Sequence, residues 1–300
     1  MNLETFISEG RGEDRPILLD GAVGTELERR GFAIDTHPLW SVRALTEERG
    51  RRCLRRIHAA YAAAGAQILT ANTFRVNPRL LARHGLLSWG AELAGAAVAL
   101  VREAAPDSFV AGSISPLESC YTPSLVPGAE TLRGAHRQTA RWLKDAGVDL
   151  VILETMTTLR EAEAALEAAA ACGLPTVASF CCRPDGRLLG GEPLEEAIRC
   201  CGEGPLAIAV NCVSPDHLEI PLRILSRRAR RGYGFYANFG ELDSRGRWHP
   251  SASLTPEVYR AFVETWLARG VRWVGGCCGS TPRHIRALAA LLRFTGRAGG

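Results

Sequence analysis

Three cysteines at the ends of two strand-like segments give this 300-residue chain its clearest chemical potential. The sequence Gly-Gly-Cys-Cys-Gly at 275–279 follows a short apolar run, and a second apolar run further upstream leads into Asn211 and Cys212. Three thiolates that leave one position open are the ligand set of a catalytic zinc rather than a structural one. The flanking glycines lack Cβ atoms and leave room for a metal beside Cys277 and Cys278. The pattern predicts a zinc site with an open coordination position.

The ligand set also indicates what the metal would do. Three cysteinates around Zn²⁺ leave a net charge of about −1, which makes the metal a poor activator of water. A sulfur-rich site suits a soft ligand, and an external thiol bound there would have its pKa lowered and stay a thiolate at neutral pH. The chemistry implied is alkyl transfer to that thiolate.

Short β-rich runs alternate with alanine-rich stretches of helical periodicity along the chain. The strands are expected at 16–21, 67–73, 109–114, 150–154, 176–181, 206–212, 234–238 and 271–276. The helices are expected at 47–64, 87–105, 129–146, 159–172, 194–201, 216–230, 256–269 and 282–292. Glycines follow four of them, as left-handed helix caps do, at Gly65, Gly147, Gly173 and Gly270. Eight consecutive βα units predict the α/β class and a (β/α)8 TIM barrel.

Barrels of this kind carry their active sites where the strands end. The polar residues and cysteines at the expected strand ends are Asp20, Asn72, Thr73, Ser113, Glu154, Cys181, Cys182, Asn211, Cys212, Asn238, Cys277 and Cys278. By position alone, this ring predicts the rim of the active site.

Composition predicts one domain over 1–300, because 46% hydrophobic residues suffice for a large core and no linker-like segment interrupts the chain. The formal net charge is +4, and every basic side chain except that of Lys144 is an arginine. Arginine runs within 51–56 and 227–231 fall on helix-like segments, which favours solvated helix faces over a nucleic-acid surface. No apolar stretch of membrane-spanning length is visible, so neither a membrane nor a nucleic acid is an expected partner.

The ten cysteines favour a reducing compartment over a disulfide framework. Three pairs are adjacent in sequence, and neighbouring cysteines rarely bridge each other. No signal peptide precedes the first strand. We therefore expect a cytoplasmic protein.

Five motifs, in order along the chain, carry a resemblance to a known family. They are Leu-Asp-Gly-Ala-Val-Gly-Thr at 19–25, Ala-Asn-Thr-Phe at 71–74, Leu-Glu-Thr-Met at 153–156, Asn-Cys at 211–212 and the glycine–cysteine motif at 275–279. Together they resemble the homocysteine S-methyltransferases. That family includes betaine- and S-methylmethionine-dependent enzymes and the homocysteine-binding module of cobalamin-dependent methionine synthase. The resemblance extends from about 17 to 285.

The resemblance implies a role for each matching residue. Cys212, Cys277 and Cys278 would bind the zinc and serve as the catalytic centre. Asp20 and Glu154 match acidic positions that hold the amino group of homocysteine, and a desolvated ammonium does need a nearby carboxylate.

Several other roles remain open at this point. Asn72 and Thr73 are candidates for further hydrogen bonds to the amino acid. Asp20 has the alternative of capping the following turn, and Glu154 that of pairing with a barrel arginine. No motif covers Cys181 and its neighbour Cys182, for which packing is favoured over metal binding.

The methyl donor is less well defined by the sequence. A methyl group on a sulfonium or quaternary ammonium leaves a neutral product and needs no general acid, and none stands out at the rim. Aromatic faces hold such cations, and the candidates are Trp40 in the loop after the first strand and Tyr121 beyond the third. For Trp40 the alternative is simple packing. No aromatic residue follows Glu154, so S-methylmethionine or S-adenosylmethionine is favoured over betaine.

Two other functions compete with a self-sufficient methyltransferase of methionine biosynthesis. A zinc hydrolase or lyase would need a water-activating base and a less anionic ligand set, and the expected strand ends carry no histidine. A homocysteine-activating barrel could instead work with a separate corrinoid or folate partner protein, since the chain has no segment for the folate and cobalamin modules of methionine synthase. The sequence does not define an oligomeric state.

Overall fold

Eight parallel strands form one sheet that curls into a barrel. The computed structural model describes residues 3–12, 16–34, 38–242, 248–251 and 253–295. The barrel strands are β1 (Ile17–Leu18), β2 (Ile68–Ala71), β3 (Phe109–Ile114), β4 (Leu150–Met156), β5 (Thr176–Phe180), β6 (Ala207–Asn211), β7 (Gly232–Ala237) and β10 (Trp273–Gly276). A small antiparallel pair, β8 (Gly240–Leu242) and β9 (Trp248–Pro250), lies outside the barrel sheet.

The strands follow one another around the sheet in the order β1-β10-β7-β6-β5-β4-β3-β2. A parallel bridge between Leu19 and Ile68 joins its two edges. There, the amide of Asp20 donates to the Ile68 carbonyl at 3.0 Å, and the amide of Gln67 donates to the Leu18 carbonyl at 2.9 Å. Closure removes the unpaired edges that an open sheet would expose.

Helices cover the outer face of the barrel, so both faces of the strands are buried. The helices are α1 (Leu3–Gly12), α2 (Val23–Arg29), α3 (Trp40–Thr46), α4 (Glu48–Ala64), α5 (Pro78–Arg83), α6 (Gly90–Ala104), α7 (Ala129–Asp145), α8 (Leu159–Ala171), α9 (Leu194–Cys201), α10 (Glu219–Arg228), α11 (Pro256–Leu267) and α12 (Pro282–Thr295). The four predicted cap glycines all adopt positive φ angles, at Gly65 (106°), Gly147 (78°), Gly173 (63°) and Gly270 (96°). Among the described residues, no helix is both long and apolar enough to cross a membrane.

The first helix covers the amino-terminal end of the barrel. Leu3 and Ile7 are buried with interior barrel residues such as Trp273. The ring of Phe6 lies 4.9 Å from that of Phe109, at the start of β3. The opposite end of the barrel is the one at which the strands finish.

The predicted fold class is confirmed, but several boundaries differ. The strands expected at 16–21, 67–73 and 206–212 end earlier, because their last residues leave the sheet and turn into the loops that build the site. The stretches expected as helices at 87–105 and 216–230 begin as separate 3₁₀ turns. Besides α1, three short helices, α2, α3 and α5, were not predicted. Each has only six or seven residues, too few to show a clear helical period.

Candidate active site

Three cysteine sulfurs meet at the carboxyl ends of β6 and β10. Cys212 directly follows β6, Cys277 and Cys278 directly follow β10, and the three Sγ atoms lie within 4.8 Å of one another. The Cys212 and Cys278 sulfurs are 3.8 Å apart. Tetrahedral zinc with Zn–S bonds of about 2.3 Å requires sulfurs about 3.8 Å apart, so the donor set and its spacing fit such an ion.

A buried amide network holds Cys212 in place. Cys212 and Thr155 adopt φ angles of 57° and 60°, the only positive values among the described non-glycine residues. The side chain of Asn211 accepts from the Thr155 amide at 2.9 Å and donates to the Thr155 hydroxyl at 2.9 Å. It also accepts from the Ser179 hydroxyl at 2.7 Å. These bonds offset the cost of two left-handed residues, a kind of strain that clusters at functional sites.

Close backbone approach explains the glycines around the other two cysteines. A Cβ on Gly276 would clash with the Ser280 hydroxyl oxygen. Gly279 has φ 83°, and a Cβ there would lie 2.9 Å from the Phe239 backbone. The amide of Phe239 donates to the Cys278 carbonyl at 2.7 Å. The glycines therefore allow the turn after β10 to fold tightly against its neighbours, which a side chain would prevent.

The two predicted carboxylates lie in the same cavity as the cysteines. Asp20 accepts from the Thr70 amide at 2.8 Å and from the Thr70 hydroxyl at 3.0 Å, and Glu154 accepts from the Ser113 hydroxyl. Burial raises the pKa of Asp20 to about 8, although the bonds from Thr70 oppose this. Burial likewise raises the pKa of Glu154 to about 7. Two carboxyls without a cation partner are costly when ionised, and a bound ammonium would relieve that cost.

Asn72 and Thr73 occupy different positions at the end of β2. Asn72 is buried and lines the cavity; its Nδ2 donates to the Ser41 carbonyl at 3.1 Å, and its Oδ1 has no hydrogen-bond partner. Thr73 does not line the cavity. Its hydroxyl instead joins the end of β2 to β3, because it donates to the Ser113 carbonyl and accepts from the Ser113 amide, both at 2.9 Å.

Several aromatic side chains line the cavity, which has a volume of about 320 Å³. Trp40 stacks on Phe74 with ring centroids 6.4 Å apart and an angle of 24° between the rings. Tyr121 lines the same space, and its hydroxyl lies 3.0 Å from the Cys212 sulfur. Both aromatic candidates from the sequence thus reach the cavity. His37, in the loop before Trp40, lies outside the described residues.

The thiols differ in their surroundings. The pKa of Cys212 is well below its usual value, because the thiols of Cys277 and Cys278 donate to its sulfur and Tyr121 adds a further hydrogen bond. Cys181 is buried, and its thiol lies 3.7 Å from the Cys212 carbonyl oxygen rather than in the sulfur cluster. Cys182 is also buried in the core and outside that cluster.

Sequence reasoning missed several residues of the cavity. These are Glu28, Phe74, Arg75, Cys120 and Tyr236. Phe74 and Arg75 directly follow the Asn-Thr pair at the end of β2, so their position was a usable signal. Cys120 adjoins Tyr121 in a loop without periodicity. Tyr236 lies within β7 and resembles any buried strand residue in sequence.

These features define a (β/α)8 barrel with a cluster of three cysteines that could hold a metal ion at the carboxyl ends of its strands. A homocysteine S-methyltransferase family model matches residues 17–292, and the chain belongs to that family. The predicted resemblance is therefore confirmed, and the protein is an enzyme of this kind.

Individual relatives agree with this assignment. A homocysteine S-methyltransferase of Escherichia coli K12 is 31% identical, over 91% of this chain and 94% of its own. A Zea mays homocysteine S-methyltransferase is 26% identical, over 94% and 95% of the two chains. The metallated form of the E. coli homocysteine methyltransferase MmuM superposes with a TM-score of 0.80 at 29% identity, over 92% of this chain and 96% of that one. The metallated relative and the cysteine cluster both indicate a metal at this site.

Proposed function

We propose that this enzyme transfers a methyl group from a small sulfonium donor to the thiol of L-homocysteine, forming methionine, with zinc as its cofactor. The observation that carries the proposal is the placement of three cysteine sulfurs and two buried carboxyls in one cavity. The sulfurs suit a soft metal and a thiol, and the carboxyls suit an ammonium. Homocysteine carries both groups on one short chain.

Cys212, Cys277 and Cys278 would hold the zinc. When bound, the zinc would lower the pKa of the substrate thiol and keep it as a nucleophilic thiolate. Tyr121, whose hydroxyl contacts the Cys212 sulfur, would stabilise charge on that ligand. The positive φ angle of Cys212 would keep the first sulfur oriented toward the other two.

Asp20, Glu154 and Asn72 would bind the amino group of homocysteine. Both carboxyls have raised pKa values, and an ammonium between them would favour their ionised forms. The unpartnered Oδ1 of Asn72 offers a further acceptor. Thr73 would act indirectly, since its hydroxyl positions Ser113, which in turn donates to Glu154.

The aromatic wall formed by Trp40, Phe74 and Tyr121 would hold the donor. An onium methyl against these rings gains a cation–π attraction, and its departure leaves a neutral product that needs no proton. The residues after Glu154 are Thr155 and Met156, which give no aromatic cage for a quaternary ammonium. We therefore favour S-methylmethionine or S-adenosylmethionine over betaine. All ten thiols are free, in keeping with the cytoplasm as the proposed location.

One panel of measurements tests the proposal. Zinc content and homocysteine methylation would be measured on purified, reduced protein with S-methylmethionine, S-adenosylmethionine, betaine and methylfolate as donors. We expect about one zinc per chain and turnover with a sulfonium. Betaine turnover equal to that with the sulfoniums would reverse the donor preference. Failure with every small donor, with zinc and homocysteine still bound, would favour the separate corrinoid or folate partner.

A further inference from the structure

Arg75 places a positive charge in the wall of the cavity, next to the proposed donor site. It follows Phe74 in sequence, both residues line the cavity, and its guanidinium carbon lies 5.5 Å from the centre of the Phe74 ring. One terminal nitrogen donates to the Glu118 carbonyl at 3.3 Å. Its Nε is buried and has no hydrogen-bond partner, so the guanidinium is only partly satisfied.

Glu118, whose backbone carbonyl accepts from Arg75, does not neutralise it with its side chain. The Glu118 carboxylate accepts a hydrogen bond from Arg79. It also accepts from both terminal nitrogens of Arg83, which lie 2.6 and 2.8 Å away. Two arginines thus already pair with that one carboxylate. Among the ion pairs of the described residues, Arg75 pairs with no carboxylate. Its charge remains available to an anion inside the cavity.

The positive charge of Arg75 affects which methyl donors can bind against the aromatic rings. A bare onium cation placed against Phe74 would be repelled by Arg75. A donor that carries both an onium centre and a carboxylate would avoid this, because the carboxylate would pair with the guanidinium while the onium faces the rings. The acceptor groups Asp20 and Glu154 offer no such site, since both are themselves acidic.

We infer that Arg75 binds a carboxylate of the methyl donor and so selects zwitterionic onium donors over bare onium cations. The inference rests on the proposed function, because it defines the donor class for the same cavity.

The test uses two sulfonium compounds of similar size. Dimethylsulfoniopropionate carries a carboxylate where dimethyl(propyl)sulfonium carries a methyl group. Wild-type enzyme should bind the first at least about 10-fold more tightly, since a charge-assisted pair contributes about 10- to 100-fold. Arg75→Met should remove most of this discrimination and raise KM for S-methylmethionine by a similar factor. Arg75→Lys should recover part of it.

Arg83→Met is the matched control, because Arg83 contacts the same residue, through the Glu118 carboxylate, but does not line the cavity. It should leave the discrimination between the two compounds unchanged. Equal affinity of wild-type enzyme for both compounds would overturn the inference without any variant. A rise in KM for homocysteine alone in Arg75→Met would also overturn it, by assigning the arginine to the acceptor.

Calorimetry without homocysteine separates this inference from the proposed function. No methyl acceptor is then present, so binding is measured without turnover. Carboxylate-dependent binding that is lost in Arg75→Met, together with no methyl transfer in a separate assay that contains homocysteine, would sustain the inference and reject the function. Methyl transfer to homocysteine without any preference for a donor carboxylate would sustain the proposed function and reject the inference about Arg75.

Discussion

The three cysteine positions are each held by a different backbone contact. The amide of Cys212 donates to the Tyr236 carbonyl at 3.3 Å, and the amide of Cys277 donates to the Ala237 carbonyl at 2.7 Å. The Cys278 carbonyl accepts from Phe239. These contacts involve main-chain atoms, so they survive side-chain truncation. Removing one sulfur should therefore change the ligand set with little effect on the fold.

Loss of any one cluster thiol should remove the metal. In Cys278→Ala, two thiolates remain, and zinc bound per chain after dialysis should fall from about one to near zero. Cys181→Ala is the control, because Cys181 is a buried cysteine near Cys212 that lies outside the cluster. Metal analysis of both purified variants checks this. Full zinc retention in Cys278→Ala would contradict the three-thiolate assignment.

The carboxyls should control the acceptor rather than the metal. Asp20→Asn keeps the shape of the side chain and removes its charge, a loss on the order of 2–4 kcal/mol for a desolvated pair with an ammonium. KM for homocysteine should rise accordingly, while zinc content stays at the wild-type level.

A substrate analogue provides the control for this prediction. 3-Mercaptopropionate has the thiol but no amino group, so wild type and Asp20→Asn should use it equally. If wild type used this analogue as well as it uses homocysteine, Asp20 would have some other role.

At this scale, the sequence identified the residues whose types are unusual at strand ends. Cysteines and carboxylates there stand out against an apolar strand, so Cys212, Asp20 and Glu154 were found. Arg75 and Tyr236 were not, because an arginine in a loop and a tyrosine in a strand have many ordinary explanations. Only the folded structure shows that their side chains share a cavity with the cysteines.

Among the secondary-structure elements, α8 is important because it supports the loop that carries Tyr121. Glu161 in its first turn is fully buried; its Oε1 accepts from the Leu117 amide at 2.8 Å and lies 3.3 Å from His136 Nε2 on α7. One carboxylate thus joins two helices to the loop after β3. Thr158 caps the same helix by accepting from the Glu161 amide.

Glu161→Ala should destabilise the protein and disturb the donor site together. It leaves a buried histidine and a buried amide without their partner, which costs about 3–5 kcal/mol. KM for the donor should rise at temperatures where the variant is folded. Chemical denaturation and donor kinetics measure the two effects. Glu163→Ala, an exposed change on the same helix, should stay within about 0.5 kcal/mol of wild type; an equal loss in both variants would contradict the role of Glu161.

Some boundaries of helices and strands can be predicted from residue type, and others depend on long-range contacts that the sequence does not show. Glycine caps such as Gly65 and Gly147 were predicted because a left-handed residue strongly favours glycine. The end of β6 was placed one residue late, at Cys212, because nothing in its type signals a positive φ. That angle arises from the buried side chain of Asn211, a long-range contact with Thr155.

Over the whole molecule, the two ends of the barrel differ: one end is packed and covered, and the other carries the candidate active site. The amino-terminal end of the barrel is covered by α1. Gln67 joins β1 to the start of β2, because its side-chain oxygen accepts from the Leu18 amide at 2.9 Å. The carboxyl-terminal end of the barrel carries the cavity and the three clustered cysteines. The alternating pattern predicted the barrel, since eight βα units leave few other arrangements. The covering role of α1 was missed, because a short polar segment gives little indication of where it packs.

Stability of the whole protein should depend on pH through His58, on α4. This side chain is fully buried with neither ring nitrogen hydrogen-bonded, and burial lowers its pKa from 6.5 to about 4. As pH falls below 6.5, His58 binds a proton in the unfolded chain but stays neutral in the folded protein. The free energy of unfolding is thus lost progressively down to about pH 4, by roughly 3 kcal/mol for this group.

The variant His58→Leu isolates this effect from opposing ones. Asp20 and Glu154 act in the other direction, because their raised pKa values make folding less favourable as pH rises. We therefore expect the stability difference between wild type and His58→Leu to change by roughly 3 kcal/mol between pH 6.5 and pH 4 and then to level off. Urea denaturation at intervals across that range measures it. His217→Leu, at an exposed position, should show no such change; a flat difference for His58→Leu as well would mean that folded His58 accepts the proton.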